Sequence, residues 1–448
     1  MSKSVSGWIE ANPQVASIIV GLADVNGTFR GKRLTAAQAQ KADEGGLRMP
    51  LSAAVVDVWG RDIEDSVLVV EGGDADGICQ TTGRGVMPCF WDDVPTGLLQ
   101  VTLTSEDGAP FVADCRQALA GIVDSFAKKG LRPVVATELE FYLTDPSGQR
   151  PQPPIAPTTG RRLSADNVLS VAELGEFSKF LDDVYAACEA QGIPADAAIS
   201  ENGAGQFEIN LLHTDDPLRA ADDAVFFKHL VRGIARKHGF AATFMAKPYG
   251  DLAGNGMHVH FSLIDEDGNN VFDNGGEEGT DTLKHAVAGL LATMQETTLI
   301  FAPHANSYRR MRPGSHAPTG VAWGYENRSA AIRIPGGNPK ARRIEHRVAG
   351  GDSNPYLVLA ALLGGALVGL EDELTPTAPQ KGNIYEADVP SLPMDWPTAI
   401  QAFETGAYVP RIFDPLFQAL IVQAKRQELN TFLSKVTEFE YETYLEVV

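Results

Sequence analysis

Two carboxylates, Glu138 and Glu140, stand in the stretch Val134-Val135-Ala136-Thr137-Glu138-Leu139-Glu140-Phe141-Tyr142. Side chains alternate across a β-strand, so these glutamates share one face while Leu139 and Phe141 share the other. Carboxylates that close repel each other unless a cation lies between them. The design recurs. In Gln206-Phe207-Glu208-Ile209-Asn210-Leu211 one face is polar and the other apolar, with Glu201 just upstream of the turn 202–205. In Met257-His258-Val259-His260-Phe261-Ser262 one face carries His258, His260 and Ser262. Arg333 stands between Ile332 and Ile334, and Arg343, Glu345 and Arg347 share a face of their segment. One such strand reads as a solvated surface, because charged side chains are mostly exposed. Their recurrence points to a common site. Glu138, Glu140, Glu201, Glu208 and Glu345, together with His258, suit hard divalent cations. The arginines suit carboxylates and phosphates, which they grip bidentately. Metal ions and arginines together are the equipment of phosphoryl transfer. There is no Walker glycine loop and no GxGxxG after a strand, which removes the P-loop and Rossmann alternatives.

The elements that must carry these residues can be read from periodicity. Apolar runs at 15–22, 53–58 and 66–70, broken by Gly72-Gly73 and the glycines of 83–85, describe a small strand-rich unit ending in a strand at 97–104. After Asp107-Gly108, helical spacing over 115–129 opens a larger unit. Segments 174–191 and 220–238 read as long helices, 151–160 as a proline-rich surface loop, and 263–274 as a hairpin with its tip at 265–270. Segment 415–445 reads as an amphipathic helical terminus. The longest apolar run, 356–370, is too short to span a bilayer and follows Asn354-Pro355, so it predicts a buried helix.

Composition sets the outer bounds. The 448 residues allow two domains, and 44% hydrophobic with 21% charged residues describes a soluble protein with a large core. A net charge of −21 makes nucleic acid and anionic membranes poor partners and suits cationic substrates. Cys79, Cys89, Cys115 and Cys188 form no CxxC or zinc pattern and read as reduced thiols. The opening MSKSVSGWIEANP holds no apolar signal core. A cytoplasmic enzyme fits.

The motifs ATELEFYL, ENGAGQFEINL, KPYGDLAGNGMHVHFSL, ANSYRRMRPGSHAP, ENRSAAIRIPGG, PKARRIEHR and NPYLVLAALLGG follow one another between about residues 132 and 370. In this the chain resembles glutamine synthetases of the bacterial type and their γ-glutamylpolyamine and γ-glutamylamide synthetase relatives. The resemblance implies an α+β fold, with a β-grasp domain at 1–108 and a catalytic domain at 109–448 built on a curved, mostly antiparallel sheet with outer helices. It implies ATP and two or more Mg²⁺ (or Mn²⁺) ions per site. One metal would be held by Glu140, Glu201 and Glu208, the other by Glu138, His258 and Glu345. Arg310 and Arg347 would bind the carboxylates of glutamate, with Glu140 and the Gly254 backbone beside the substrate. Arg328, Arg333 and Arg343 would hold phosphates, and His260 and Ser262 would flank the nucleotide. The implied reaction phosphorylates the γ-carboxylate of glutamate, and an amine then displaces phosphate. A homo-oligomer is expected, a dodecamer by family habit, with each site completed by a neighbour. Arg309, Lys340 and Arg342 read as facing solvent or a subunit contact, and His213 and His346 as structural.

The sequence departs from the ammonia-using pattern at the nucleophile end. The loop that carries an acidic D-G-S-S in true glutamine synthetases reads Gly46-Leu47-Arg48-Met49-Pro50-Leu51-Ser52 here. The lid motif P-G-Y-E-A-P reads Pro313-Gly314-Ser315-His316-Ala317-Pro318, and N-G-S-G-M-H reads Ala253-Gly254-Asn255-Gly256-Met257-His258. Two negative charges that make an ammonium pocket are gone, while the activation machinery is kept. That predicts a primary amine, a polyamine or small monoamine, as nucleophile. Neutral His316 would be the base, beside Arg310 and Arg328 as catalytic residues. The alternatives are an ammonia-dependent glutamine synthetase and a catalytically weak homologue that binds glutamate or nucleotide. The family's adenylylated tyrosine has only a loose counterpart in Tyr385.

Overall fold

The computed structural model describes residues 4–91, 94–148, 150–164 and 166–448. Strands β1 (Ser17–Ala23), β2 (Phe29–Thr35), β3 (Arg48–Pro50), β4 (Asp76–Cys89) and β5 (Thr96–Thr104) form a mixed five-stranded sheet in the order β2-β1-β5-β4-β3. β1 runs parallel to β5 and antiparallel to β2, the arrangement of a β-grasp. β5 is central and buried along its whole length, which is why 97–104 reads so clearly as strand. Two of the apolar runs are not strands. Run 53–58 overlaps a 3₁₀ turn, Leu51–Ala54, and continues as irregular chain, whereas Val67–Val70 is a short helix capped by the Ser66 hydroxyl. A local cap outweighs the β-branched composition there.

The second sheet positions the polar faces. It contains β6 (Arg132–Thr144), β7 (Ala195–Ser200), β8 (Gln206–Thr214), β9 (Ala241–Thr243), β10 (Met257–Ile264), β11 (Trp323–Tyr325), β12 (Ile332–Ile334) and β13 (Ile344–His346). The order is β11-β12-β13-β10-β6-β8-β7, with β9 also on β6, and every pair but β11/β12 is antiparallel. On β6 the alternation is complete enough that Leu139 and Phe141 are fully buried. Phe141 meets Phe180, Phe207, Phe227 and Phe244 at centroid distances of 5.5–6.3 Å. Truncating such a ring costs about 3–5 kcal/mol. Helices Cys115–Ala127 and Pro217–Lys237 pack against this strand.

Helix Pro355–Glu371 is buried nearly all round, capped by Asn354, whose side chain accepts from the Tyr356 amide. It crosses helix Asp281–Phe301 where a Cβ on Gly289 would lie 2.2 Å from the Gly365 carbonyl, so only glycine allows the approach. The same Asn354 donates to the Asp24 carbonyl at 2.8 Å and so ties this helix to the first sheet.

Three elements differ from expectation in detail. The helix foreseen at 174–191 is two, Val171–Glu176 and Ser178–Gln191, broken at Phe177, whose ring packs against Phe207 and Phe240. The hairpin at 263–274 has only a single bridge, Ile264 to Asn270, because the Asp265 carboxylate captures the Asp267 and Asn269 amides in a tight turn. The terminal helix is split into Pro415–Leu433 and Glu438–Tyr444, the second opened by a Thr437/Glu440 capping box. No helix among the described residues is long and apolar enough to cross a membrane.

Candidate active site

Strand register brings the polar faces together. Glu138 on β6 lies opposite His258 on β10 and Asn210 on β8, and Glu140 lies opposite Glu208. Glu345 on β13 lies between His260 on β10 and Arg333 on β12. β6, β8, β10 and β13 are each paired on both sides, so the backbone that carries Glu138, Glu140, Glu208 and Glu345 is held by ladders along both edges. Ligand atoms of Glu138, His258 and Glu345 lie within 4.8 Å of one another, and so do those of Glu140, Glu208 and His258. The first group matches one expected metal set. In the second, His258 stands where Glu201 was expected, and Glu201 falls outside both groups.

Glycine makes the convergence possible. A Cβ on Gly256 would sit 2.9 Å from Arg310 Nη2, 3.2 Å from His258 Nε2 and 3.3 Å from Glu140 Oε1. The Gly256 amide donates to Glu140 Oε2 at 2.7 Å. Gly254 packs against the Arg310 side chain, and its carbonyl accepts from Gln206 Nε2 at 3.0 Å.

The electrostatics divide the site in two. Around Glu138 and Glu345 the negative charge is balanced. His258 Nδ1 and His260 Nε2 meet Glu138 at 3.1 and 2.8 Å. Burial opposes ionisation of Glu138, but these hydrogen bonds outweigh it and hold the carboxyl well below the usual range. Glu345 accepts from Arg333 Nη1 at 2.8 Å and from Arg347, and with Arg347 foremost these charges overcome its burial and lower its pKa. Around Glu208 and Glu201 the charge is not balanced. Burial first, then Glu138, Glu140 and Glu201, push Glu208 up to about 9, and Arg347 offsets only part of this. Burial and Glu140 push Glu201 up to about 7. An excess of oxygen donors held in mutual repulsion fits a divalent cation with oxygen ligands.

The arginines are distributed over the same face. Arg310 is buried and donates to the Val348 carbonyl at 2.7 Å. Arg347 is buried and donates from Nε to the Arg328 carbonyl at 3.1 Å. The Arg328 side chain is exposed. Arg343 donates from Nε to His260 Nδ1 at 3.2 Å. His260, Ser262, Arg343 and Glu138 line a cavity of about 1080 Å³, together with Asn210, His213 and Lys340. His316 lies apart from these strands, exposed on a loop, with φ of +64°.

Among the residues read as peripheral or structural, Arg342 departs from its reading. Lys340 and His213 line the cavity. Arg342 is buried, donating to the Gly276 and Glu277 carbonyls, not facing solvent. His346 is fully buried 4.6 Å from the Phe301 ring, with its pKa lowered to about 3 by burial, as a structural histidine would be. Asn255 is fully buried and spends its amide on the Thr243 and Met245 carbonyls. Glu326, the second partner of Arg333 at 3.1 Å, carried no signal in the sequence, since it lies on no alternating strand face.

The carboxylate clusters, the buried arginines and the cavity lie together on one face of the second sheet. The chain belongs to the glutamine synthetase family, whose catalytic domain matches residues 112–444. Members of this family use ATP and divalent metals. The chain is 39% identical over 447 residues to gamma-glutamylputrescine synthetase PuuA of Escherichia coli K12, spanning 99% of this chain and 94% of that one. It is 35% identical over 349 residues to gamma-glutamylethanolamide synthetase GlnA4 of Streptomyces coelicolor, spanning 77% and 74%. The solved GmaS/ADP complex matches with a TM-score of 0.84 at 26% identity, covering 99% of this chain and 100% of that one.

Proposed function

We propose that this protein is an ATP-dependent ligase that forms a γ-glutamyl amide from glutamate and a primary amine, a polyamine or a small monoamine. The observation that carries the reading is the split character of the site. Both carboxylate clusters are present, while the lid has His316 and the loop 46–52 has no acid. Relatives named for putrescine and ethanolamide products support it.

Glu140, Glu201 and Glu208 would hold one divalent ion, and Glu138, His258 and Glu345 another, Mg²⁺ being the expected metal. Bound there, the ions would neutralise phosphate charge. Arg310 and Arg347 orient the carboxylates of glutamate next to Glu140 and the Gly254 backbone. His260 and Ser262 flank ATP, and Arg328, Arg333 and Arg343 grip its phosphates. The γ-carboxylate attacks the terminal phosphorus of ATP, giving γ-glutamyl phosphate and ADP. The amine nitrogen then bonds to the γ-carbonyl carbon, phosphate leaves with the electrons of the C–O bond, and His316 takes the proton. The working form is proposed to be a cytoplasmic homo-oligomer, a dodecamer in which a neighbour's first sheet completes each site; an active monomer by solution mass measurement would refute the shared site.

The deciding experiment measures phosphate release with ATP and glutamate against a panel of amines that includes ammonium. At least one primary amine is expected to exceed ammonium in kcat/KM. Ammonium outperforming every amine would mark an ammonia-dependent glutamine synthetase instead. No phosphate release with any nucleophile would mark a non-catalytic homologue.

A further inference from the structure

His316 is held from both sides. Its left-handed φ of +64° is a conformation that non-glycine residues rarely adopt and that persists only where the surroundings impose it. On one side, the Ser315 hydroxyl donates to the Arg312 carbonyl at 2.6 Å and touches the Arg310 carbonyl, tying the loop to the segment that carries Arg310. On the other side, the Tyr385 hydroxyl donates to the Ala317 carbonyl at 2.8 Å. Ala317 is buried, so this end of the loop is fixed to the body of the protein.

Tyr385 is itself anchored. It sits in the 3₁₀ turn Ile384–Glu386, capped by Asn383, whose side chain accepts from the Tyr385 amide. Ile384 is buried with Ala322 and Ala330, and its amide donates to Ser329 Oγ at 3.0 Å. Asn327 Nδ2 donates to the Gly382 carbonyl at 3.0 Å. The turn is thus stapled to both neighbours of Arg328, and the Arg328 carbonyl accepts from Arg347, which also bonds Glu345. An almost unbroken run of bonded groups connects Glu345, through the Arg328 segment and Tyr385, to the residue next to His316.

We propose that Tyr385 is a positioning residue for the second half-reaction: its hydroxyl holds the 313–318 segment so that His316 meets the incoming amine. The proposal rests on the ligase reading above. It takes no part in phosphorylating glutamate. Without the anchor, γ-glutamyl phosphate still forms, but water competes with the amine. Water oxygen then bonds to the γ-carbon, phosphate leaves, and glutamate is regenerated at the expense of ATP.

The test is Tyr385→Phe, which removes one oxygen and keeps the ring. ADP and amide are measured in the same reaction, with ATP, glutamate and the best amine of the panel. ADP formation is expected to stay within about twofold of wild type, while the amide formed per ADP falls about tenfold, the loss of one hydrogen bond that fixes the loop. Ser315→Ala, which removes the other pin, is expected to lower the same ratio. An unchanged ratio in Tyr385→Phe overturns the proposal, and so does a parallel fall of ADP and amide, which would mark a merely structural tyrosine. Absence of amide from the wild-type enzyme with every nucleophile is a separate result and overturns the ligase reading itself.

Discussion

Glu138, Glu208 and Glu345 stand on strands paired along both edges, whereas His316 stands on an exposed turn held by the hydroxyls of Ser315 and Tyr385. The first region obtains its precision from ladder register and from an aromatic core beneath it. The second obtains it from a few local contacts that can be made and broken. Activation of glutamate demands a charge array that does not move. Admission of an amine demands a segment that can open. The comparison teaches that the carboxylate array draws its order from the sheet, whereas the loop that carries His316 draws its order from a few side-chain contacts.

The largest expected effect tests the rigid half. Glu138→Ala removes the carboxylate that both His258 and His260 contact. It is expected to abolish ATP turnover, a loss of several kcal/mol, on the order of 10³-fold or more, while circular dichroism and oligomer mass stay those of wild type. Wild-type turnover under saturating Mg²⁺ would break the metal assignment.

His316→Ala tests the loop. Amine-dependent turnover is expected to fall roughly 10²-fold, the low end of general-base contributions, with the melting temperature unchanged. Unaltered amine turnover would remove the base role and leave the ligase reading in place.

A third measurement uses pH to sharpen the contrast between balanced and unbalanced carboxylates. Glu201 and Glu208 are raised to about 7 and about 9 in the folded protein. Without metal, the folded state keeps protons that the unfolded state releases, so their contribution to stability falls as pH rises from the ordinary carboxylate range through these values. A divalent cation binds the deprotonated forms and removes the repulsion. Mg²⁺ is therefore expected to raise the melting temperature more at about pH 8.5 than at about pH 6, by a few degrees. Equal shifts at the two values would contradict the unbalanced pocket.

The smallest effect on activity is expected far from both halves. Asn354→Ala removes a helix cap and the bond to the Asp24 carbonyl. It should cost about 2 kcal/mol of stability and leave kcat unchanged. A loss of kcat larger than the loss of stability would show that the seam between the sheets also tunes the site.

Much of this was legible from residue order alone, and for one reason. The two-residue period of a strand writes its buried and functional faces into the sequence, so Glu138, Glu140, Glu208, His258, His260 and Glu345 could be read as one polar surface before any partner strand was known. The buried helix after Asn354-Pro355 was legible in the same way, from an apolar run behind a cap. What periodicity cannot carry is which strands pair, and in what register. Pairing sets His258 among both carboxylate groups, leaves Glu201 outside them, and turns Arg333 and Arg347 toward Glu345. Loops carry even less of a local code. Lys340 and Tyr385 sit on segments without alternation or helical period, and one lines the cavity while the other meets the Ala317 carbonyl across the fold. Their contacts depend on the packing of distant segments, and that arrangement exists only once the chain has folded.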